Sequence, residues 1–131
     1  MITYEIGDMV TAEELSEVFR RSGIKRPSED LSRLQRMIDN ADVIITARSE
    51  GRLIGVARAI TDYSYCCYLS DLAVHAEFQN RRVGKKLVDA LREHLSDEVS
   101  LVLLSAPGAV DFYPKIGFEK SDRAFVIARK K

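Results

Sequence analysis

The residues best suited to chemistry lie in one short run, Gln79-Asn80-Arg81-Arg82-Val83-Gly84-Lys85-Lys86. It stands where a buried strand gives way to a helix carrying Val83, Leu87, Leu91 and Leu95 at spacings of four. The N-terminus of a helix is the positive end of its dipole and ordinarily takes Asp or Glu. Here Arg81, Arg82, Lys85 and Lys86 surround the first turn with no acid among them, a conflict costing about 0.3–1 kcal/mol per charge. Local conflicts of this kind gather at functional sites. An anion docked on the free backbone amides resolves it, because amides and basic side chains then share one ligand. Gly84 lets that ligand approach the backbone. The alternative is a solvated basic face that contacts nothing.

The flanking elements must hold this run in place. Ile2 to Ile6 alternates apolar and polar residues and predicts a strand. Thr11 precedes Glu14 by three residues, a capping-box spacing, and Gly23 closes the helix that follows. Ser28 is the expected cap of a second helix through Leu31, Leu34, Met37 and Ile38. Val43 to Ala47 and Leu53 to Ile60 read as strands joined by a hairpin turn at Ser49-Glu50-Gly51-Arg52. Tyr65 to Val74 reads as a central, two-sided strand, and Val99 to Leu104 as one buried on both faces. Ala109 to Tyr113 suits a short helix that Pro114 would end or kink. Phe118 to Lys120 and Ala124 to Ala128 are predicted as two final strands. The order β-α-α-β-β-β-α-β-α-β-β describes an α/β chain with a mixed, mostly antiparallel sheet and helices on both faces.

Composition bounds the possibilities. The 131 residues suit a single domain, and 46% hydrophobic with 31% charged residues exclude wholesale disorder. Lys plus Arg and Asp plus Glu number 20 each, so no global charge draws the chain to nucleic acid or membrane. The two cysteines, Cys66 and Cys67, are neighbours whose mutual disulfide would be strained, which excludes a disulfide framework and fits a reducing, cytoplasmic setting. Glu5 and Asp8 stand where a signal peptide has its apolar run, and no apolar stretch nears the roughly 20 residues that span a bilayer.

The stretch from Leu72 to Leu87, a strand followed by Gln-x-x-x-Val-Gly and a helix, resembles the acetyl-CoA-binding motif of the GCN5-related N-acetyltransferases. That family's pattern is Gln or Arg, two residues, Gly, one residue, then Gly or Ala. Gln79 and Gly84 match its first and last positions, while Arg82 stands at the middle glycine. The amide donor survives that change; what it alters is backbone freedom and the approach of a pyrophosphate. A second segment, Phe112-Tyr113-Pro114-Lys115-Ile116-Gly117-Phe118, is similar to the aromatic-Tyr-x-x-hydrophobic-Gly-Phe signature that follows the family's fifth strand. The predicted element order also follows the family's architecture.

The resemblance implies a single acetyltransferase domain over residues 1–131, in which an amine of a small molecule or peptide attacks the thioester of acetyl-CoA directly. It implies that Leu72, Ala73 and Val74 pair with the pantetheine arm, and that the amides from Gln79 through Asn80, Arg81, Arg82, Val83, Gly84 and Lys85 to Lys86 meet the pyrophosphate. An amide near Leu72 would polarise the acetyl carbonyl. Tyr113 is the candidate acid for the departing thiolate, since a phenol of pKa about 10 holds its proton at neutral pH; the alternative is a core tyrosine whose hydroxyl finds a partner. Asp71 interrupts an apolar strand end and is a candidate for the proton route, or else bonds a neighbouring loop or helix N-terminus. Water alone also serves that route.

His75 is expected to face solvent or a loop, and His94 the outer side of a helix. No metal-ligand spacing is present, so no metal is expected. The substrate pocket is expected from Ser22 to Pro27, Asp62 to Tyr65, and the hairpin near Ser121-Asp122-Arg123. A non-catalytic acetyl-CoA-binding regulatory module of the same fold is the alternative to an enzyme. A nucleotide-binding loop is disfavoured, because Gly84-Lys85-Lys86 lacks the first glycine and the magnesium-holding hydroxyl. Neither a nucleic-acid nor a membrane partner is expected, and homodimerisation stays open because outer strands expose pairing edges.

Overall fold

A computed structural model describes residues 1–131, and local sequence explains most of its element boundaries. Helix α1 (Ala12–Ser22) begins on the expected capping box. The Glu14 amide donates to the Thr11 hydroxyl and the Thr11 amide to Glu14 Oε1, each at 3.0 Å. Gly23 ends the helix in the left-handed region. Helix α2 (Leu31–Asp39) starts on Asp30 rather than on Ser28. The Asp30 carboxylate accepts from the Arg33 amide at 3.0 Å and faces the positive end of the dipole. The Ser28 carbonyl instead receives the Ser16 hydroxyl, which fastens the α1–α2 connection to α1.

Five strands follow chain order across the sheet: β1 (Ile2–Ile6), β2 (Val43–Ser49), β3 (Arg52–Thr61), β4 (Cys66–Val74) and β5 (Ser100–Leu103). The first three junctions are antiparallel and β4–β5 is parallel, the crossover being helix α3 (Val83–His94). The β2–β3 hairpin turns at Glu50 and Gly51, both at positive φ, as a two-residue loop requires. One extra residue, Ser70, bulges out of β4, so that Arg58 faces Asp71 while Ala59 faces Leu69.

The sheet is covered on both faces. Leu15, Val18 and Phe19 of α1 and Leu34 of α2 pack on Leu53, Val56 and Ala73. Val83, Leu87, Val88 and Leu91 of α3 pack on Ile45, Ala47, Ala57 and Leu69. Each fully buried aliphatic side chain contributes about 1.5–3 kcal/mol. Helix α3 comes closest at Gly55, where a Cβ would stand 3.1 Å from Val83 Cγ1, 3.2 Å from Ala47 Cβ and 3.3 Å from Leu87 Cδ1.

The structure departs from expectation along its last third. Strand β5 is not buried on both faces: Val102 is half exposed, because the α1–α2 layer does not extend over it and no strand meets its outer edge. Helix α4 (Phe112–Lys115) contains Pro114 instead of ending before it, since a residue in the first helical turn needs no amide partner. The two final strands do not form. Residues 119–131 make no backbone–backbone hydrogen bond, and Phe125 and Ile127 are 95% and 101% exposed. Extended propensity does not make a strand without a neighbour to complete its ladder, and no strand pairs with these residues.

Candidate active site

Strands β4 and β5 part company midway. Their pairing runs from Cys66 with Ser100 to Leu69 with Leu103, after which β4 continues to Val74 paired with β3 alone. The His75 amide donates to the Ile54 carbonyl at 2.8 Å, so alternation turns the amides of Leu72 and Val74 toward the open side. An extended ligand entering there meets two backbone donors. Gln79 is occupied otherwise: its Nε2 donates to the Val74 carbonyl at 2.9 Å and the Ser22 carbonyl at 3.3 Å, tying α1 to the end of β4.

At the start of α3 no side chain caps the helix, and the amides of Val83, Gly84 and Lys85 make no hydrogen bond within the protein. Asn80 and Arg82 lie at φ 67° and 63°. The left-handed region costs a side chain about 1–2 kcal/mol, which explains why a glycine would suit the position of Arg82. The Arg81 guanidinium stacks 5.1 Å from the Phe78 ring centroid, Lys86 sits 5.8 Å over Tyr4, and Lys85 pairs with Asp89 at 2.7 Å. Arg81 and Arg82 have no carboxylate partner. A Cβ on Gly84 would stand 3.3 Å from Phe112 Cζ and 3.9 Å from Val74 Cγ2. The space that glycine leaves is therefore where the aromatic segment docks, and the two motifs are in direct contact.

Tyr113 follows Phe112 in α4. Its ring packs edge-on against Phe112 at 5.1 Å and Phe118 at 5.5 Å, and its carbonyl accepts from the Ile116 and Phe118 amides. Its hydroxyl has no hydrogen-bond partner in the protein and is not sealed from solvent. Burial pushes the phenol above its ordinary pKa, against a weaker downward pull from the Arg26 charge.

Asp71 is completely buried, and both its oxygens are engaged. Arg26 Nε, from the α1–α2 connection, donates to Oδ1 at 2.5 Å, and Arg58 Nε, from β3, donates to Oδ2. The bulge residue Ser70 joins them, its carbonyl accepting from Arg26 Nη2 at 2.8 Å and its hydroxyl from Arg58 Nη2 at 3.0 Å. His75 is buried rather than solvent-facing, because it closes β4 and its Nδ1 accepts the Glu77 amide at 3.1 Å. His94 stacks edge-on with Tyr63 at 5.7 Å. Burial raises the pKa of the Cys67 thiol, which disfavours a thiolate nucleophile there.

Comparison with known proteins gives this arrangement a family. Residues 11–128 match the family model described as an acetyltransferase (GNAT) domain. The chain belongs to the GNAT acetyltransferase family. The uncharacterized N-acetyltransferase ycf52 of Pyropia yezoensis is 32% identical to this GNAT chain over 103 residues, which is 74% of this chain and 58% of that protein. The GNAT chain thus spans little more than half the length of that relative. Among solved structures, a probable acetyltransferase from meticillin-resistant Staphylococcus aureus superposes with a TM-score of 0.87 at 20% identity, over 100% of both chains. Aminoglycoside N-acetyltransferase AAC(6')-Iy in complex with CoA superposes with a TM-score of 0.74 at 17% identity, over 100% of this GNAT chain and 96% of the other. Both show the fold, and the mixed α/β architecture read from the sequence is theirs.

Sequence reading overlooked Arg26, Arg58 and Ser70. A signal was present: Arg58 and Asp71 are lone opposite charges inside two successive apolar strands, and such charges are tolerated in a sheet when they face each other.

Proposed function

We propose that this chain transfers the acetyl group of acetyl-CoA directly to an amine of a small molecule or peptide. One observation supports the reading above others: Phe112 rests on Gly84 beside Val74, so the aromatic segment that carries Tyr113 packs against the uncapped start of α3 and the end of β4. The pantetheine arm runs along Leu72, Ala73 and Val74. The pyrophosphate sits on the segment Asn80, Arg81, Arg82, Val83, Gly84, Lys85 and Lys86, held mainly by the free amides and the two unpaired arginines, with Gln79 fixing the turn beneath it.

In the reaction the amine nitrogen attacks the thioester carbonyl, a C–N bond forms, and the C–S bond breaks. The Leu72 amide polarises the carbonyl oxygen. Tyr113 gives its proton to the leaving sulfur, and the proton of the attacking amine passes to water. Asp71 enters as the anchor of Arg26 and Arg58, since two guanidinium groups occupy its oxygens. No step calls for a metal.

A reducing cytoplasm is the setting proposed, in keeping with free Cys66 and Cys67. No helix is long and apolar enough to cross a membrane, and neither nucleic acid nor membrane enters as a partner. Residues 1–131 act as one acetyltransferase domain. Self-association through the unpaired edge of β5 and the exposed segment Ala124 to Ala128 belongs to the same reading.

Calorimetry with acetyl-CoA and free CoA tests the anchor. Wild type binds both, and the double variant Arg81→Ala, Arg82→Ala binds about tenfold or more weakly, as loss of charge-assisted hydrogen bonds requires. A folded wild type that binds neither ends the acetyltransferase reading. Binding without transfer to any amine of a broad panel favours a regulatory acetyl-CoA-binding module instead.

A further inference from the structure

Arg26, Arg58 and Asp71 sum to one net positive charge in a setting where an unmatched charge is costly. Asp71 is 0% exposed and Arg58 is 8% exposed. The nitrogens of Arg26 are all engaged, by Asp71, the Ser70 carbonyl and the Lys25 carbonyl. Those of Arg58 are not. Its Nε and Nη2 are spent on Asp71 and Ser70, while Nη1 has no acceptor in the protein and is open to solvent. Arg58 Nη1 is thus the guanidinium nitrogen of the pair left without an acceptor, while Arg26, its side chain 22% exposed, is partly solvated.

Alternation along β3 puts Val56, Arg58 and Ile60 on one face of the sheet, opposite α3. Val56 is covered by the α1–α2 layer, whereas Ile60 is exposed. Arg58 thus stands at the border of the covered region. Next along the strand lies a hollow of about 470 Å³ lined mainly by apolar side chains, Ile60, Tyr68 and Val102 among them, with Asp62 at its rim, where one carboxylate oxygen accepts from the Ser64, Tyr65 and Cys66 amides. Arg58 and the bulge residue Ser70, where β4 parts from β5, stand two residues along their strands from Ile60 and Tyr68 of the hollow's lining.

We propose that this face receives the acceptor, and that the acceptor is a small amine carrying a carboxylate, which sits on Arg58 Nη1 with the Arg26 charge behind it. The inference rests on the acetyl-transfer reading and narrows its substrate class. A carboxylate cancels the surplus charge through a charge-assisted hydrogen bond, and the apolar wall accommodates an uncharged side chain next to it. A polyamine or other polycation meets like charge at the same point and is disfavoured.

The test is calorimetry of N-acetylated apolar amino acids, each as the free acid and as its methylamide, on wild type with and without CoA. The free acids bind at least about tenfold more tightly than the methylamides, and Arg58→Lys, checked for an unchanged circular-dichroism spectrum and CoA affinity, removes most of that difference. A parallel assay of acetyl transfer to amino acids, amino-acid amides and polyamines shows the same order in kcat/KM. Equal binding of acids and methylamides, or better transfer to polyamines, overturns the proposal while leaving CoA binding intact. Loss of CoA binding in wild type strikes the acetyltransferase reading instead, and the acid-to-methylamide comparison without CoA still decides the anion site.

Discussion

At Tyr113, burial and charge pull the phenol in opposite directions, and burial wins. A raised pKa keeps the proton in place through neutral pH and releases it only as pH climbs through a value above the ordinary one of about 10. The alkaline limb of kcat that reports Tyr113 therefore lies above the ordinary phenol value of about 10. Tyr113→Phe lowers kcat about 100-fold, within the range for losing a general acid, while acetyl-CoA affinity stays unchanged. A pH–rate profile checks both statements: an alkaline limb below pH 9, or a variant with full kcat, removes Tyr113 from the proton path. The same scale explains Arg82. Its left-handed backbone is what a glycine would adopt freely, so the arginine stands there at a local cost that its charge at the pyrophosphate position is proposed to offset.

Between elements, the decisive distance is that of α3 from the sheet. With a would-be Cβ already 3.1–3.3 Å from Val83, Ala47 and Leu87, Gly55→Val has no room and pushes the first turn of α3 outward. Urea denaturation should show a loss of about 1–3 kcal/mol, the usual cost of overpacking, and calorimetry a weaker acetyl-CoA site, because the same turn carries the free amides. Retained stability with unchanged affinity contradicts the role given to this contact. Features at this scale were legible when they were local. The Thr11–Glu14 capping box, the Glu50-Gly51 hairpin and the four-residue period of α3 each depend on neighbours in sequence. Asp30 stands directly before Leu31 and caps the helix in place of Ser28; what no local window shows is the Ser16 hydroxyl bonding to the Ser28 carbonyl across the turn. The Arg26–Asp71–Arg58 group joins three separate elements, so no window of sequence contains it. The seating of Phe112 on Gly84 is likewise a tertiary fact, although both residues lay in segments singled out for other reasons.

For the molecule as a whole, strand propensity at Ala124 to Ala128 was read correctly as propensity and wrongly as structure, since a ladder needs a second strand. An unpaired β5 edge and an exposed Phe125 and Ile127 on one chain favour association between copies. Analytical ultracentrifugation should find a mass for wild type that rises with concentration, and a monomer for Phe125→Asp, Ile127→Asp with unchanged circular dichroism; a wild type monomeric throughout removes self-association from the reading. The uncapped start of α3 reaches further than catalysis. An anion that binds only the folded chain stabilises it by mass action, about 2.7 kcal/mol at a hundred times its dissociation constant. In a cell, a shift of that size changes how often the chain opens to proteases. With acetyl-CoA as the proposed anion, the lifetime of the protein follows the supply of that acyl donor, so that starvation for it thins the chain as well as idling the proposed reaction.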